Sequence, residues 1–397
     1  MTEISIRAGG GFSLQAASAG LLAAFVGFAS SFAVVIQGLL AIGASQGEAA
    51  SGLMALAIAM GLCGVWLSLK TRLPVSIAWS TPGAALLATT GAVEGGFAAA
   101  VGAFLMSGVL IVAAGLWRPL GRWVAAIPPA LANAMLAGVL FTFCLAPVRA
   151  VAEGPELTLP VILAWALAWR FKRLYAIPAA LLAALAMIFA TTEVPSLDAA
   201  ALWPQPLPIM PQFTLSALVG IALPLFIVTM ASQNIPGMAV LNANGYRPAP
   251  GPLFATSGVF TLLAAPFGGH AVNLAAITAA LCAGEDAHPD PARRYWAAVV
   301  SGAFYVVFGL LAGLITAFVA AVPAYLILTV AGLALLGAFG SALTEALAAA
   351  EDRLAAIVTF LATASGLSFF GIGSAFWGLL AGLALYALTR WRPGRRR

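Results

Sequence analysis

The chain has 397 residues, 62% of them hydrophobic and 8% charged, with a formal net charge of +5. So few charges cannot cover a water-soluble protein of this size, and repeated apolar runs of helix-spanning length define an all-α polytopic membrane protein. The positive balance, which would point to nucleic acid on a soluble domain, is explained by lysine and arginine gathered on one side of a bilayer, so no nucleic-acid partner is expected.

Residues 1–15 carry one arginine and no small-residue cleavage pattern, which predicts a cytoplasmic tail rather than a signal peptide. Apolar segments then fall at 14–36, 48–69, 74–91, 96–117, 124–147, 157–170, 174–191, 214–234, 251–264, 266–283, 295–318, 323–340, 354–367 and 374–390. If all fourteen cross once and the N-terminus is cytoplasmic, 17 of the 18 basic residues lie on the cytoplasmic side and only Arg149 lies outside. That asymmetry supports the count and the orientation together, and places both termini in the cytoplasm. Cys63, Cys144 and Cys282 lie in or beside apolar segments without metal-ligand spacing, so packing is their expected role, with no metal site.

Two segments do not read as plain spanning helices. In the third, Val75, Ile77 and Trp79 alternate with small residues, as in an extended strand, and Ser80-Thr81-Pro82-Gly83 then reads as a helix start with a hydroxyl cap. In the tenth, Pro266-Phe267-Gly268-Gly269-His270-Ala271-Val272-Asn273 has the same broken character. Bare backbone at that depth is tolerated only where it lines a cavity or is buried in protein. Segments 3 and 10 are therefore expected to be discontinuous half-helices facing a solute site.

The halves echo each other. Val124-Ala125-Ala126-Ile127-Pro128 recurs as Val319-Ala320-Ala321-Val322-Pro323, Gly102-Ala103-Phe104 as Gly302-Ala303-Phe304, and Phe12-Ser13-Leu14 as Phe213-Thr214-Leu215, while Pro74 and Pro266 lead the two broken segments. The offsets of 192 to 201 residues predict two seven-segment repeats. Seven spans each make the second repeat inverted, the arrangement of a secondary transporter. The proline-rich linker at 192–213 is read as extracellular and stiff, and the basic end from Arg390 as a cytoplasmic anchor.

Every Asp and Glu falls in a loop or at a segment edge. That argues against a cationic substrate, a carboxylate proton relay and an enzyme, since no carboxylate pair or Ser-His-Asp set lies at depth. Two half-helix N-termini present positive dipole ends and free N–H donors, for which a carboxylate is the natural guest. The expected contacts are Ser80, Thr81 and Gly83 on one side and Gly269, His270 and Asn273 on the other. Gln233 and Asn234, ahead of Pro236, add uncharged amides, and Trp79 walls an apolar ring. Each has a plainer role as well: glycines pack helices, amides repair helices broken by proline, and aromatics fill space. His270 is the proton-coupling candidate, because a bound carboxylate favours its charged form; its alternative is a neutral hydrogen-bond donor.

Leu73-Pro74-Val75-Ser76-Ile77-Ala78-Trp79-Ser80-Thr81-Pro82-Gly83-Ala84-Ala85-Leu86, the stretch Pro266 to Thr278 and Ser232-Gln233-Asn234-Ile235-Pro236-Gly237 resemble the signature stretches of the benzoate–proton symporter (BenE) family. The resemblance spans nearly the whole chain. It implies import of benzoate or a related aromatic carboxylate across the bacterial inner membrane with H⁺ as coupling ion and no other cofactor. It also implies the fold of nucleobase and sulfate permeases, in which a core (1–123 and 214–318) moves against a gate (124–191 and 319–397) in an elevator-like cycle, often as a homodimer. Nucleobase relatives carry acidic residues where this chain has Gln233, Asn234 and Asn273, a departure that fits an anionic substrate. Carriage of a nucleobase or inorganic anion, or an anion channel, remains the alternative.

Overall fold

The computed structural model describes residues 11–117, 119, 127–191, 204–275, 277–367, 369 and 372–390. The N-terminal ten residues, most of the first Val-Ala-Ala-Ile-Pro copy, the first part of the proline-rich linker and the basic tail beyond Arg390 lie outside the described residues.

In chain order the elements are α1 (Leu14–Ala29), α2 (Phe32–Ala41), α3 (Gln46–Thr71), β1 (Ile77–Trp79), α4 (Thr81–Thr90), α5 (Gly96–Leu116), α6 (Pro129–Glu153), α7 (Pro155–Phe171) and α8 (Ala176–Thr191). The second half follows with α9 (Leu215–Ala243), which contains π-helical turns at Leu218–Ala222 and Met230–Asn234, and α10 (Pro250–Ala264). It continues with β2 (Val272–Leu274), α11 (Ile277–Ala283), α12 (Tyr295–Leu310), α13 (Ala312–Ala321), α14 (Ala324–Ala346), α15 (Arg353–Ala364) and α16 (Ser374–Arg390). Among the described residues seven helices are long and apolar enough to cross a bilayer, or eight if Pro291–Leu310 and Ala312–Val319, bent by 59°, form one span. The chain is thus a mostly helical, multi-span membrane protein.

The sequence echoes fall on matching local structures. Ser13 and Thr214 are both N-caps, their hydroxyls accepting from Ala16 N (3.4 Å) and Ala217 N (3.2 Å) at the starts of α1 and α9. Pro128 and Pro323 cap α6 and α14 with nearly identical backbone angles, φ −55° and ψ 124° against φ −56° and ψ 122°. Proline suits both positions, where an N–H would have no intrahelical partner.

Close helix approach uses small residues, as packing inside a bilayer requires. The space for a Cβ on Gly61 of α3 is filled by the carbonyl of Gly302 on α12, and the reverse holds for Gly302. On α14, Gly332 meets the Phe143 carbonyl and Pro147 of α6 in the same way.

At the centre of the bundle β1 and β2 pair antiparallel, with Ile77 opposite Leu274, Ala78 opposite Asn273 and Trp79 opposite Val272. Ser80 N–H to Ala271 O and Ala275 N–H to Ser76 O, both 2.9 Å, extend the ladder at each end. The bare backbone of the two broken segments is therefore satisfied by the other, which answers the demand that buried polar backbone find a partner. Residue 273 lies 195 positions after residue 78, an offset inside the range of the sequence echoes.

Candidate substrate-binding site

The start of α4 forms as its sequence dictates. Ser80 Oγ accepts from Gly83 N (3.1 Å), and Pro82 occupies the first turn, where its missing N–H costs nothing. Thr229 of α9 donates its hydroxyl to the same Ser80 oxygen at 2.9 Å, tying the two elements together. The Asn273 amide, with its nitrogen facing Ala78 O (3.2 Å) and Leu274 O (3.1 Å), accepts from Ser80 N (3.2 Å). Asn234, in the second π turn of α9, accepts from Leu274 N through Oδ1 at 2.9 Å. These polar groups brace the strand pair and the mouth of α4.

Beside this brace lies a cavity of about 80 Å³, room for several waters. Its polar lining comes from Ser30, Ser31, Thr81, Gln233, Thr278 and Tyr305, and its apolar lining includes Val26, Met60, Trp79, Leu140 and Leu335. No lining residue carries a formal charge. Trp79 stands as a fixed wall: its Nε1 donates to Ser31 Oγ at 2.9 Å, and its ring meets Phe28 edge-on at 5.2 Å. Thr278 is held by a 3.1 Å hydroxyl pair with Ser76, a link between the two broken segments.

Of the residues the sequence singled out, Trp79, Thr81 and Gln233 line the cavity. Ser80, Asn234 and Asn273 do not line it; they are fully buried behind the wall and use their polar atoms on backbone or on one another. Gly83 and Gly269 are also set back. A Cβ on Gly83 would run into Leu225 and Ser80, and one on Gly269 would run into Ala264, so both glycines serve close packing here. His270 is fully buried, with Nδ1 accepting from Ala271 N at 2.7 Å, Nε2 unpartnered, and Phe104 edge-on at 6.3 Å.

Sequence reasoning missed Ser31, Thr278 and Tyr305. The Ser30-Ser31 pair sits inside the first apolar run and marks the break between α1 and α2, a signal that was present. Nothing local set Tyr305 apart, because its place at the cavity depends on α12 packing closely on its neighbours. Its hydroxyl fills the position a Cβ would take on Gly27, so the absence of a side chain there lets the phenol reach the cavity.

Chemically, hydroxyl and amide groups and the N-terminal end of α4 line a small, otherwise apolar chamber. Such an arrangement can hold an anion without burying a counter-charge, and the indole and aliphatic wall can take up an apolar body. Among the described residues no group of three His, Cys, Asp or Glu side chains is placed to hold a metal.

Paired strand tips feeding short helices inside an apolar bundle define a membrane-protein fold that is known from solved structures. The transmembrane domain of a cyanobacterium bicarbonate transporter BicA superposes with a TM-score of 0.63 at 16% identity, over 93% of this chain and 97% of that one. The murine Solute Carrier 26 family member A9 anion transporter in the inward-facing state gives 0.64 at 12% identity, over 95% of this chain and 68% of that one.

Within that fold the chain belongs to the BenE family, benzoate membrane transport protein, whose family model matches residues 10–388. It is 41% identical over 379 residues to the inner membrane protein YdcO of Escherichia coli (strain K12), covering 96% of this chain and 97% of that one. It is 33% identical over 375 residues to the benzoate membrane transport protein of Acinetobacter baylyi (strain ATCC 33305 / BD413 / ADP1), covering 94% and 95%. The expected family membership is borne out.

Proposed function

We propose that this chain carries benzoate or a closely related aromatic carboxylate across the bacterial inner membrane together with protons. The observation that carries the reading is the uncharged, half-apolar cavity at the N-terminal end of α4, in a chain of this family. The carboxylate is held by Thr81, Thr278 and Tyr305 beside the N-terminal end of α4, and Gln233 contributes its amide. The ring lies against Trp79, Met60 and Leu140. Ser80, Asn234 and Asn273 keep that mouth in shape, and His270 is the candidate for proton coupling.

The transport cycle in this reading moves a core (1–123 and 214–318) past a gate (124–191 and 319–397), in a homodimer with cytoplasmic termini. The cavity supports it, because core residues such as Trp79 and Thr81 face gate residues Leu140 and Leu335 across the site. The strand register supports fourteen segments in two inverted repeats, since the antiparallel pair has a local two-fold axis at Ala78–Asn273 that relates β1 to β2, as an inverted repeat requires.

Counterflow of labelled benzoate in proteoliposomes tests the function. Saturable exchange competed by benzoate and not by uracil or sulfate is the expected result. The fold likeness to a bicarbonate transporter favours, as second reading, carriage or channelling of a small inorganic anion. Bicarbonate exchange or non-saturating conductance without benzoate exchange would establish that reading in place of the first.

A further inference from the structure

We propose that Arg149 builds a second carboxylate site, an outer vestibule that receives the substrate before it reaches the cavity at Trp79. The inference rests on the transport reading above and adds a residue and a place to it. A second cavity, of about 370 Å³, is lined by Gln37, Thr89, Phe143, Arg149, Glu153 and Tyr325 among others. The same three helices line both cavities, α4, α6 and α14. The inner one uses Thr81, Leu140 and Ala334, the outer one Thr89, Arg149 and Tyr325. These pairs are eight or nine residues apart, so the outer chamber extends about 12–14 Å further along each helix at 1.5 Å per residue. Leu140 of one cavity and Phe143 of the other are a single turn apart on α6, and that turn divides the two spaces.

The lining matches an aromatic acid. Arg149 offers a forked cation for a carboxylate, Gln37 adds a neutral donor, and Tyr325 and Phe143 add aromatic surface. Arg149 has no ion-pair partner within 4 Å among the described residues, although Glu153 stands one turn further on. It is also the single basic residue of its membrane face, where Glu48, Glu94, Glu153 and Glu156 lie by the same topology. A face with that balance does not draw an anion from a distance. Salt screens the scattered carboxylates beyond about 8 Å, so one exposed guanidinium inside a chamber is the attraction that an arriving carboxylate meets.

The test reads the local charge directly. Ala146→Cys, one turn from Arg149 and itself in the lining, is made in a Cys144→Ala background of the full chain in proteoliposomes. Its modification by a sulfonate-bearing and a trimethylammonium-bearing methanethiosulfonate is timed from the face that carries Arg149. Adding Arg149→Gln should lower the sulfonate-to-ammonium rate ratio about fivefold, the effect of one charge at roughly 8 Å in water counted once for each reagent. Arg149→Lys should keep the ratio, and benzoate should slow the sulfonate reagent only where position 149 is basic. An unchanged ratio in Arg149→Gln, or benzoate protection that persists without the charge, overturns the vestibule. Absence of benzoate counterflow in the unmodified protein would count against the transport reading, and the reagent ratio would still decide on the vestibule.

Discussion

Asn234 and Leu274, forty residues apart, are joined by a 2.9 Å hydrogen bond from the Leu274 N–H to the Asn234 carboxamide oxygen. Asn234 ends a π-helical turn, and the extra residue in such a turn brings a side chain to a position the regular helix does not reach. Both partners are buried, and the same amide donates to Met230 Sδ at 3.1 Å, so Asn234 is fixed from two sides. The end of β2 next to the cavity is thus held by a helix from outside the strand pair.

Removing that acceptor leaves a buried N–H unsatisfied, at a cost of roughly 1–3 kcal/mol. Asn234→Ala should therefore lower the thermal midpoint of the protein in detergent and reduce benzoate exchange with it. A midpoint equal to that of the unaltered protein would show that β2 does not depend on this bond.

Neighbouring hydroxyls at the α4 mouth should respond differently. Ser80 caps the helix and faces inward, so Ser80→Ala should cost about 0.5–2 kcal/mol of stability and affect transport only through the fold. Thr81 lines the cavity, and a hydrogen bond to a charged ligand contributes roughly 1.5–3 kcal/mol. Thr81→Val should raise the half-saturation concentration for benzoate by about tenfold or more, with little change in thermal midpoint. Measuring both quantities on both variants checks the assignment, and a reversed pattern would exchange the two roles.

The contrast shows how far local sequence reaches. The alternation at Val75, Ile77 and Trp79 and the Ser80–Gly83 cap were legible because strand period and helix capping are set by nearest neighbours, and both stand in the structure. The paired echoes at Ser13 and Thr214 were legible for the same reason. Which polar side chain faces the cavity is decided instead by contacts between distant segments. Asn273 and Asn234 have the chemistry of ligands, but the strand pair takes up their amides. Ser31, Thr278 and Tyr305 reach the cavity only because α1, α11 and α12 meet there.

Substitution at Trp79 should alter selectivity more than stability. Its indole N–H bond to Ser31 has a net contribution of about 0.5–1.5 kcal/mol, and phenylalanine keeps most of the apolar wall while returning space to a chamber of about 80 Å³. Trp79→Phe should therefore increase exchange of a bulkier acid, such as 2-naphthoate, relative to benzoate. Competition of the two acids against labelled benzoate measures the shift, and a preserved preference would remove the indole from the specificity wall.

His270 offers the sharpest test of proton coupling, because its surroundings define its tautomer. The Ala271 N–H donates to Nδ1, so Nδ1 carries no proton and the neutral ring holds its hydrogen on Nε2, which has no partner. Charging the ring puts a proton on Nδ1 and breaks the Ala271 bond. That N–H lies at the start of β2, one residue before Val272 pairs with Trp79. Proton uptake at His270 therefore takes the acceptor from that backbone N–H, next to the strand that pairs with Trp79, and this is the route by which protonation would reach the cavity without direct contact. His270→Gln keeps a polar side chain there and removes the titration. Protons taken up per benzoate should fall to zero in this variant, while counterflow at equal pH on both sides continues. Unchanged proton stoichiometry would take His270 out of the coupling and leave it as a packing residue against Phe104.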